Sequence, residues 1–231
     1  MNVLAIDTST YVLSVALIKD GLVIGEHMTN TKINHSLRAM PAIEKVMEEC
    51  QMKPKDLHRI VVAHGPGSYT GVRIGVTIAK TLAWSLNIPL VGVSSLKLMA
   101  ANGRYFSGLI CPLMDARRGQ VYTGLYEWEN ENLIEKLEDV NVDLQNWLDQ
   151  LAALNSEILF IGNDVQLHKE VIIEKLAKRA IFATGAQLNS RPGDLAILGM
   201  NEEVLDLHTF VPNYTRLAEA EAKWLENNQT K

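Results

Sequence analysis

The chain has 231 residues, 47% of them hydrophobic and 21% charged, and a formal net charge of −5. This composition suits a globular protein with a real core, as one large or two small domains, and leaves no basic excess for gripping nucleic acid unaided. Two cysteines, Cys50 and Cys111, are too few for a disulfide scaffold or a zinc site and fit a reducing cytoplasm. No secretory signal is visible, and no run is long enough to span a bilayer.

Residues 3–6 form a short apolar strand that ends in Asp7-Thr8-Ser9-Thr10. Leu13, Val15 and Leu17 alternate with small or polar residues as a second strand does. Lys19-Asp20-Gly21 makes a hairpin turn into a third strand over 22–28. Asp7, Thr8 and Thr10 have two readings. A carboxylate that holds magnesium through water, beside hydroxyls that donate to phosphate, would mark a metal–nucleotide site. The same residue types also satisfy the backbone of a tight turn.

The spacing predicts a helix over 34–51, with Asn34 as N-cap and Leu37, Met40, Ile43, Met47 and Cys50 along one face. Pro41 is expected to bend it or remove one backbone bond. His35 reads as a cap or surface residue.

Residues 60–93 carry the most information. A short apolar strand over 60–63 runs into Gly65-Pro66-Gly67-Ser68, then a helix over 70–86, then a strand over 90–93 announced by Pro89. Val72, Val76, Ala79, Ala83 and Leu86 form one apolar stripe of that helix, and Ile74, Ile78 and Leu82 much of a second. Gly71, Gly75, Ala79 and Ala83 repeat every four residues as a ridge of small side chains. A helix apolar nearly all round needs a sheet on one side and a second helix on another, from this chain or a partner.

A helix over 94–102 follows, then a break over 103–108 that divides the chain into lobes 1–104 and 105–231. Beyond it come strands over 109–114, 121–128 and 133–137, a helix over 142–154, a strand over 158–161, a helix over 165–178, a short apolar segment over 180–183 and a helix over 194–200. Both halves therefore open with three strands and continue by helix–strand alternation. That is a duplicated α/β unit with a shortened second copy. Asp115, Arg117 and Arg118 stand at a strand–turn junction, where they either act on a carboxylate or phosphate or form a structural pair. No HExxH, GxxxxGK[ST] or GxSxG occurs, so a zinc protease, a P-loop nucleotide site and a nucleophile elbow have no support.

The stretch GPGSYTGVRIG, with LAIDTST before it and IPLVGVSSL, MDARRGQVY and PNYTR plus Trp224 after it, resembles the TsaB (YeaZ) family over essentially the whole chain. The resemblance implies an actin-like, sugar-kinase and Hsp70-like (ribonuclease H-like) fold of two duplicated lobes, the second reduced. It also implies a non-catalytic subunit that supports its enzymatic relative TsaD. With TsaE, an ATPase, they make N6-threonylcarbamoyladenosine at position 37 of tRNAs that read codons starting with A.

TsaD pairing is expected through the first two helices. On the first the expected contacts are Leu37, Met40, Ile43 and Met47. On the second they are Val72, Arg73, Gly75, Val76, Ala79, Lys80 and Ala83. A homodimer is expected when the chain is alone, and tRNA is met only through the complex. Two histidines of TsaD hold a metal where this chain has Ser95 and Met99, and a hydroxyl and a thioether replace imidazoles poorly. No intrinsic metal or cofactor is then expected, with ATP and metal on the partner subunits. His64 and Tyr69 depart from the family's usual Arg and Phe. The alternative is a magnesium-dependent kinase or ATPase of the same superfamily that uses Asp7, Thr8 and Thr10.

Overall fold

The computed structural model describes residues 1–215. In the first half β1 (Asn2–Asp7), β2 (Val12–Lys19) and β3 (Leu22–Asn30) form an antiparallel meander. α1 (His35–Glu49), β4 (Arg59–Ala63), α2 (Tyr69–Leu86), β5 (Leu90–Val93) and α3 (Ser95–Ala100) follow. The second half repeats the order with β6 (Leu109–Asp115), β7 (Gln120–Glu129), β8 (Asn132–Asp143), α4 (Leu144–Ala153), β9 (Ile158–Ile161), α5 (Val165–Leu176), β10 (Ala180–Phe182) and α6 (Pro192–Asn201). The sheets run β3-β2-β1-β4-β5 and β10-β9-β6-β7-β8, the same order read from opposite edges. β1 is antiparallel to β2 and parallel to β4, and β6 stands likewise to β7 and β9. This is the duplicated actin-like fold. The shortening of the second copy falls on its three-residue last strand and on α4 and α5, with 10 and 12 residues against 15 and 18 in α1 and α2.

Local chemistry sets the element ends. The Asn34 side chain accepts from Ser36 N and starts α1, which runs on through Pro41. Ser68 Oγ accepts from Gly71 N and starts α2, and Asn87 closes it in the left-handed region at φ 52°. β8 runs to Asp143, well beyond 137, because its polar end still pairs with β7, Gln120 opposite Asp143. Asp143 then caps α4 by accepting from Gln145 N and Asn146 N, so that helix begins at Leu144, two residues later than the pattern suggests.

α1 and α2 cover one face of the first sheet, and α4 and α5 one face of the second. The inner faces are covered by exchange. α3, from the first half, packs Leu96, Met99 and Ala100 against Ile110, Met114 and Tyr126 of the second sheet. α6, from the second half, packs Leu195 and Ala196 against Val3, Ala5, Ala16 and Val61 of the first. The chain does cross between sheets over 101–108, yet neither half is a self-sufficient body. β1 and β4 are apolar on both faces, and such strands need cover on both. Glu26 of β3 fastens the exchange: it accepts from Gly193 N at 2.9 Å in the first turn of α6 and pairs with Arg191.

After α6 the chain straps across the first sheet. Leu205 bridges to Leu90 on the β5 edge, and Phe210 lies against His64 and Gly92. Asn213 N donates to His64 O at 2.7 Å. Arg216 and Trp224 lie outside the described residues. Among those described, no helix is long and apolar enough to cross a membrane.

Val76 lies in the core between α2 and the first sheet. A Val76→Glu change puts an unpaired carboxylate there and should cost several kcal/mol out of a total stability of about 5–15 kcal/mol. Urea unfolding should show a sharply lowered midpoint; an unchanged midpoint would contradict this placement.

Candidate functional site

The β1–β2 turn is locked from below. Thr8 Oγ1 donates to Gly71 O at 2.7 Å, and Ser68 N donates to Ser9 O at 2.7 Å. A Cβ at Gly67, Gly71 or Gly75 would sit 2.3 Å from Ser9 O, 2.2 Å from Thr8 O or 2.5 Å from Thr8 Oγ1. The glycines of α2 and its leading loop therefore exist to let this turn lie directly on them. Asp7 is 1% exposed and Oδ1 accepts from Ser9 N at 2.8 Å; burial pushes its carboxyl above the ordinary range, against the bonds from Ser9. Thr10 Oγ1 accepts from Val12 N, and Thr10 O accepts from His35 Nε2 at 2.7 Å. Of the two readings of this turn, the structure places Asp7 and Thr8 in the backbone-satisfying one.

The equivalent β6–β7 turn is open. Asp115 is half-buried, with Oδ1 3.2 Å from His168 Nε2, and its N–H donates to Asp164 Oδ2 at 3.0 Å. Arg117, Arg118 and Gly119 are all left-handed, at φ 67°, 56° and 75°. For two arginines in succession this is an uncommon backbone. Between the two turns lies a cleft of about 590 Å3, with Ser9, Thr10, Tyr11 and 67–70 on one wall and 114–117, Tyr122, Asp164 and Leu167 on the other.

The second candidate surface is the outer side of α1 and α2. Leu37 is 73% and Met40 45% exposed, Arg73 is exposed, and Lys80 is half-buried with Nζ donating to Phe210 O at 2.7 Å. Ile43, Met47, Val72, Gly75, Val76, Ala79 and Ala83 are buried in the chain's own core. The small-residue ridge thus faces the β1–β2 turn and the first sheet, which corrects its expected place on a partner surface. Close approach is needed there by the chain's own backbone. What α2 leaves outward is the other stripe, Ile74, Ile78 and Leu82, half-buried, with Trp84 71% exposed.

A family model described as "TsaD: tRNA N6-adenosine threonylcarbamoyltransferase" matches residues 24–224. The tRNA threonylcarbamoyladenosine biosynthesis protein TsaB of Bacillus subtilis (strain 168) is 55% identical over 229 residues, 99% of this chain and all of that protein. The protein of the same name from Escherichia coli (strain K12) is 34% identical over 170 residues, 72% of this chain and 73% of its own. The chain belongs to the TsaB family. In fold it is similar to the crystal structure of a Pseudomonas aeruginosa protein described as similar to peptidase YEAZ, with TM-score 0.79 and 24% identity, covering 93% of this chain and 99% of that one.

Within this TsaB-family chain, Ser95 and Met99, the positions that the resemblance sets against TsaD's histidines, are core residues. Ser95 Oγ accepts from Gly65 N at 3.1 Å, and Met99 packs between α3 and the second sheet. Among the described residues no group of three or more His, Cys, Asp or Glu side chains is placed to hold a metal. A half-buried cluster stands nearby: Ser94 Oγ donates to Asp139 Oδ2, and the buried Tyr126 OH donates to Asp139 Oδ1 at 2.5 Å. Burial raises the Asp139 carboxyl and the Tyr126 phenol, while the bonds from Ser94 and Tyr126 pull Asp139 back. His64 N–H donates to Val93 O and ties the end of β4 to β5; burial lowers its imidazole. Tyr69 lies under the Arg73 guanidinium at 4.7 Å and beside Tyr214 at 5.5 Å.

Sequence reasoning missed Tyr11, Tyr122 and Asp164 at the cleft, His168 beside Asp115, and Trp84 on the outer face. Only Tyr122 sits in a quoted stretch, at the end of MDARRGQVY, and only tertiary contact brings them together. The strap had a faint signal in Leu205 and Leu207.

Asp7→Asn keeps the acceptor for Ser9 N and removes a buried charge. The wild-type carboxyl is raised, so its stability is fully present below about pH 3.9, the unfolded value, and declines as pH rises through the folded value. The variant should therefore gain on the wild type in melting temperature from pH 4 towards neutrality. A loss that grows with pH would show that ionised Asp7 is stabilising.

Proposed function

We propose that this chain is a non-catalytic scaffold and activator of the complex of TsaB, TsaD and TsaE that forms N6-threonylcarbamoyladenosine at position 37 of tRNAs reading codons that start with A. The relatives' names support the pathway. The observation that carries the scaffold role is the partly exposed apolar outer side of α1 and α2, with Leu37, Met40 and Trp84 well exposed and Ile74, Ile78 and Leu82 half-buried at the edge of the core. Exposed apolar side chains gathered on two adjacent helices suit a partner's helices and, in their absence, a second copy of this chain. In this reading TsaD occupies that side, TsaE joins the pair, ATP and metal reside on the partner subunits, and tRNA is handled by the assembly.

Adding the chain to TsaD plus TsaE should restore tRNA modification that the two lack alone, with no turnover by the chain itself; an unchanged rate would end the scaffold reading. The double variant Leu37→Glu, Met40→Glu alters exposed positions and should leave the melting temperature unchanged. It should weaken TsaD binding by about 30-fold or more, the loss of one strong anchor of about 2 kcal/mol. Full-strength binding by sedimentation would place the interface elsewhere.

The kinase or ATPase reading has less support, since Asp7 is buried and the Thr8 hydroxyl is committed to Gly71 O. Calorimetric titration with ATP and magnesium should be flat; micromolar affinity would revive it.

A further inference from the structure

The cleft between the halves has a chemistry of its own. Three tyrosine rings stand in its walls, Tyr11 and Tyr69 from the first half and Tyr122 from the second. Tyr11 and Tyr69 are 60% and 49% exposed. Two of these rings already carry a cation from outside the lining: the Lys32 ammonium lies 5.5 Å above Tyr11, and the Arg73 guanidinium lies 4.7 Å above Tyr69 and donates to its hydroxyl at 2.8 Å. Arg117 is in the wall itself, exposed, and its guanidinium has no hydrogen bond or ion pair among the described residues. Two carboxylates, Asp115 and Asp164, also line it, each with one oxygen already engaged, by His168 Nε2 and by Asp115 N, and one left over.

Each component suits one part of a nucleotide in an unpaired strand. Aromatic planes stack with any base, and arginines take the phosphates. Carboxylates accept from the exocyclic amines of adenine, cytosine and guanine, which uracil lacks. A bare triphosphate fits less well, because its several negative charges would stand beside Asp115 and Asp164. A single strand carries fewer charges per base and can keep them at the rim.

We propose that this cleft binds an unpaired nucleotide of single-stranded RNA, with its base against the tyrosines, its amine towards Asp115 and Asp164, and its phosphate on Arg117. The proposal rests on the pathway reading only for the source of the RNA; the site is argued from its own side chains. It gives the chain a direct contact with RNA, whereas the scaffold reading leaves RNA to the assembly.

Fluorescence anisotropy of the full chain with short labelled oligo(A), oligo(C) and oligo(U), and with a duplex of equal length, tests it at low salt. Oligo(A) and oligo(C) should bind several-fold more tightly than oligo(U) or the duplex. Tyr69→Ala and Arg117→Gln should each weaken oligo(A) binding by roughly ten-fold, the loss of one stacking or phosphate contact, with unchanged thermal melts. Equal binding of all four nucleic acids, no loss in either variant, or displacement of oligo(A) by magnesium–ATP more readily than by unlabelled oligo(A) would overturn it. Such a failure beside successful reconstitution with TsaD and TsaE would remove the RNA site and leave the scaffold role standing.

Discussion

The contact on which the first half depends is the seating of the β1–β2 turn on the glycine side of α2. Thr8 and Ser9 approach Gly67, Gly71 and Gly75 so closely that any side chain there would collide with backbone oxygen or the Thr8 hydroxyl. That approach fixes the height of α2 over the sheet and seals Asp7 beneath the turn. It also fixes the rotation of α2, because the glycine side must look down. Trp84 is left to look out, with Ile74, Ile78 and Leu82 half-buried on the flank. One steric requirement thus closes the first of the two strand-end turns and opens the helix face where a partner can sit.

The equivalent turn of the second half has no such seat, and the asymmetry divides the labour of the molecule. Asp115 stays half-buried and reachable, and Arg117 is held in an unusual backbone conformation at the cleft wall. A duplicated fold therefore carries two unlike turns: one seated on glycines, the other contributing Asp115 and Arg117 to the cleft wall. The exchange of α3 and α6 binds these halves into one body. Each sheet owes the cover of its inner face to the other half, so the walls of the cleft belong to a shared core.

The order of strands and helices was legible because each element carries its own period. β1, β4 and β9 are short apolar runs, and α1 and α2 show apolar steps of three and four, α1 under its Asn34 cap. The end of β8 was hidden because Val140 and Val142 are its only apolar residues over 138–143, an alternation too short to stand out, and the pattern gives Val142 to the following helix. The strap over 202–215 was hidden for a related reason: it has no repeating pattern, only single anchors such as Leu205, Phe210 and Asn213.

The chain by itself determined the duplicated unit, the family and the presence of surplus apolar surface on the first two helices. Those follow from local periodicity, caps and contiguous motifs, which tertiary structure does not alter. Which side of α2 is surplus was decided only in three dimensions. Both of its stripes are apolar, so composition cannot rank them; the backbone of a turn some sixty residues earlier claims the small one. The same holds for the cleft, whose tyrosines, arginine and carboxylates lie far apart in the chain and share one lining only once the two halves are packed together.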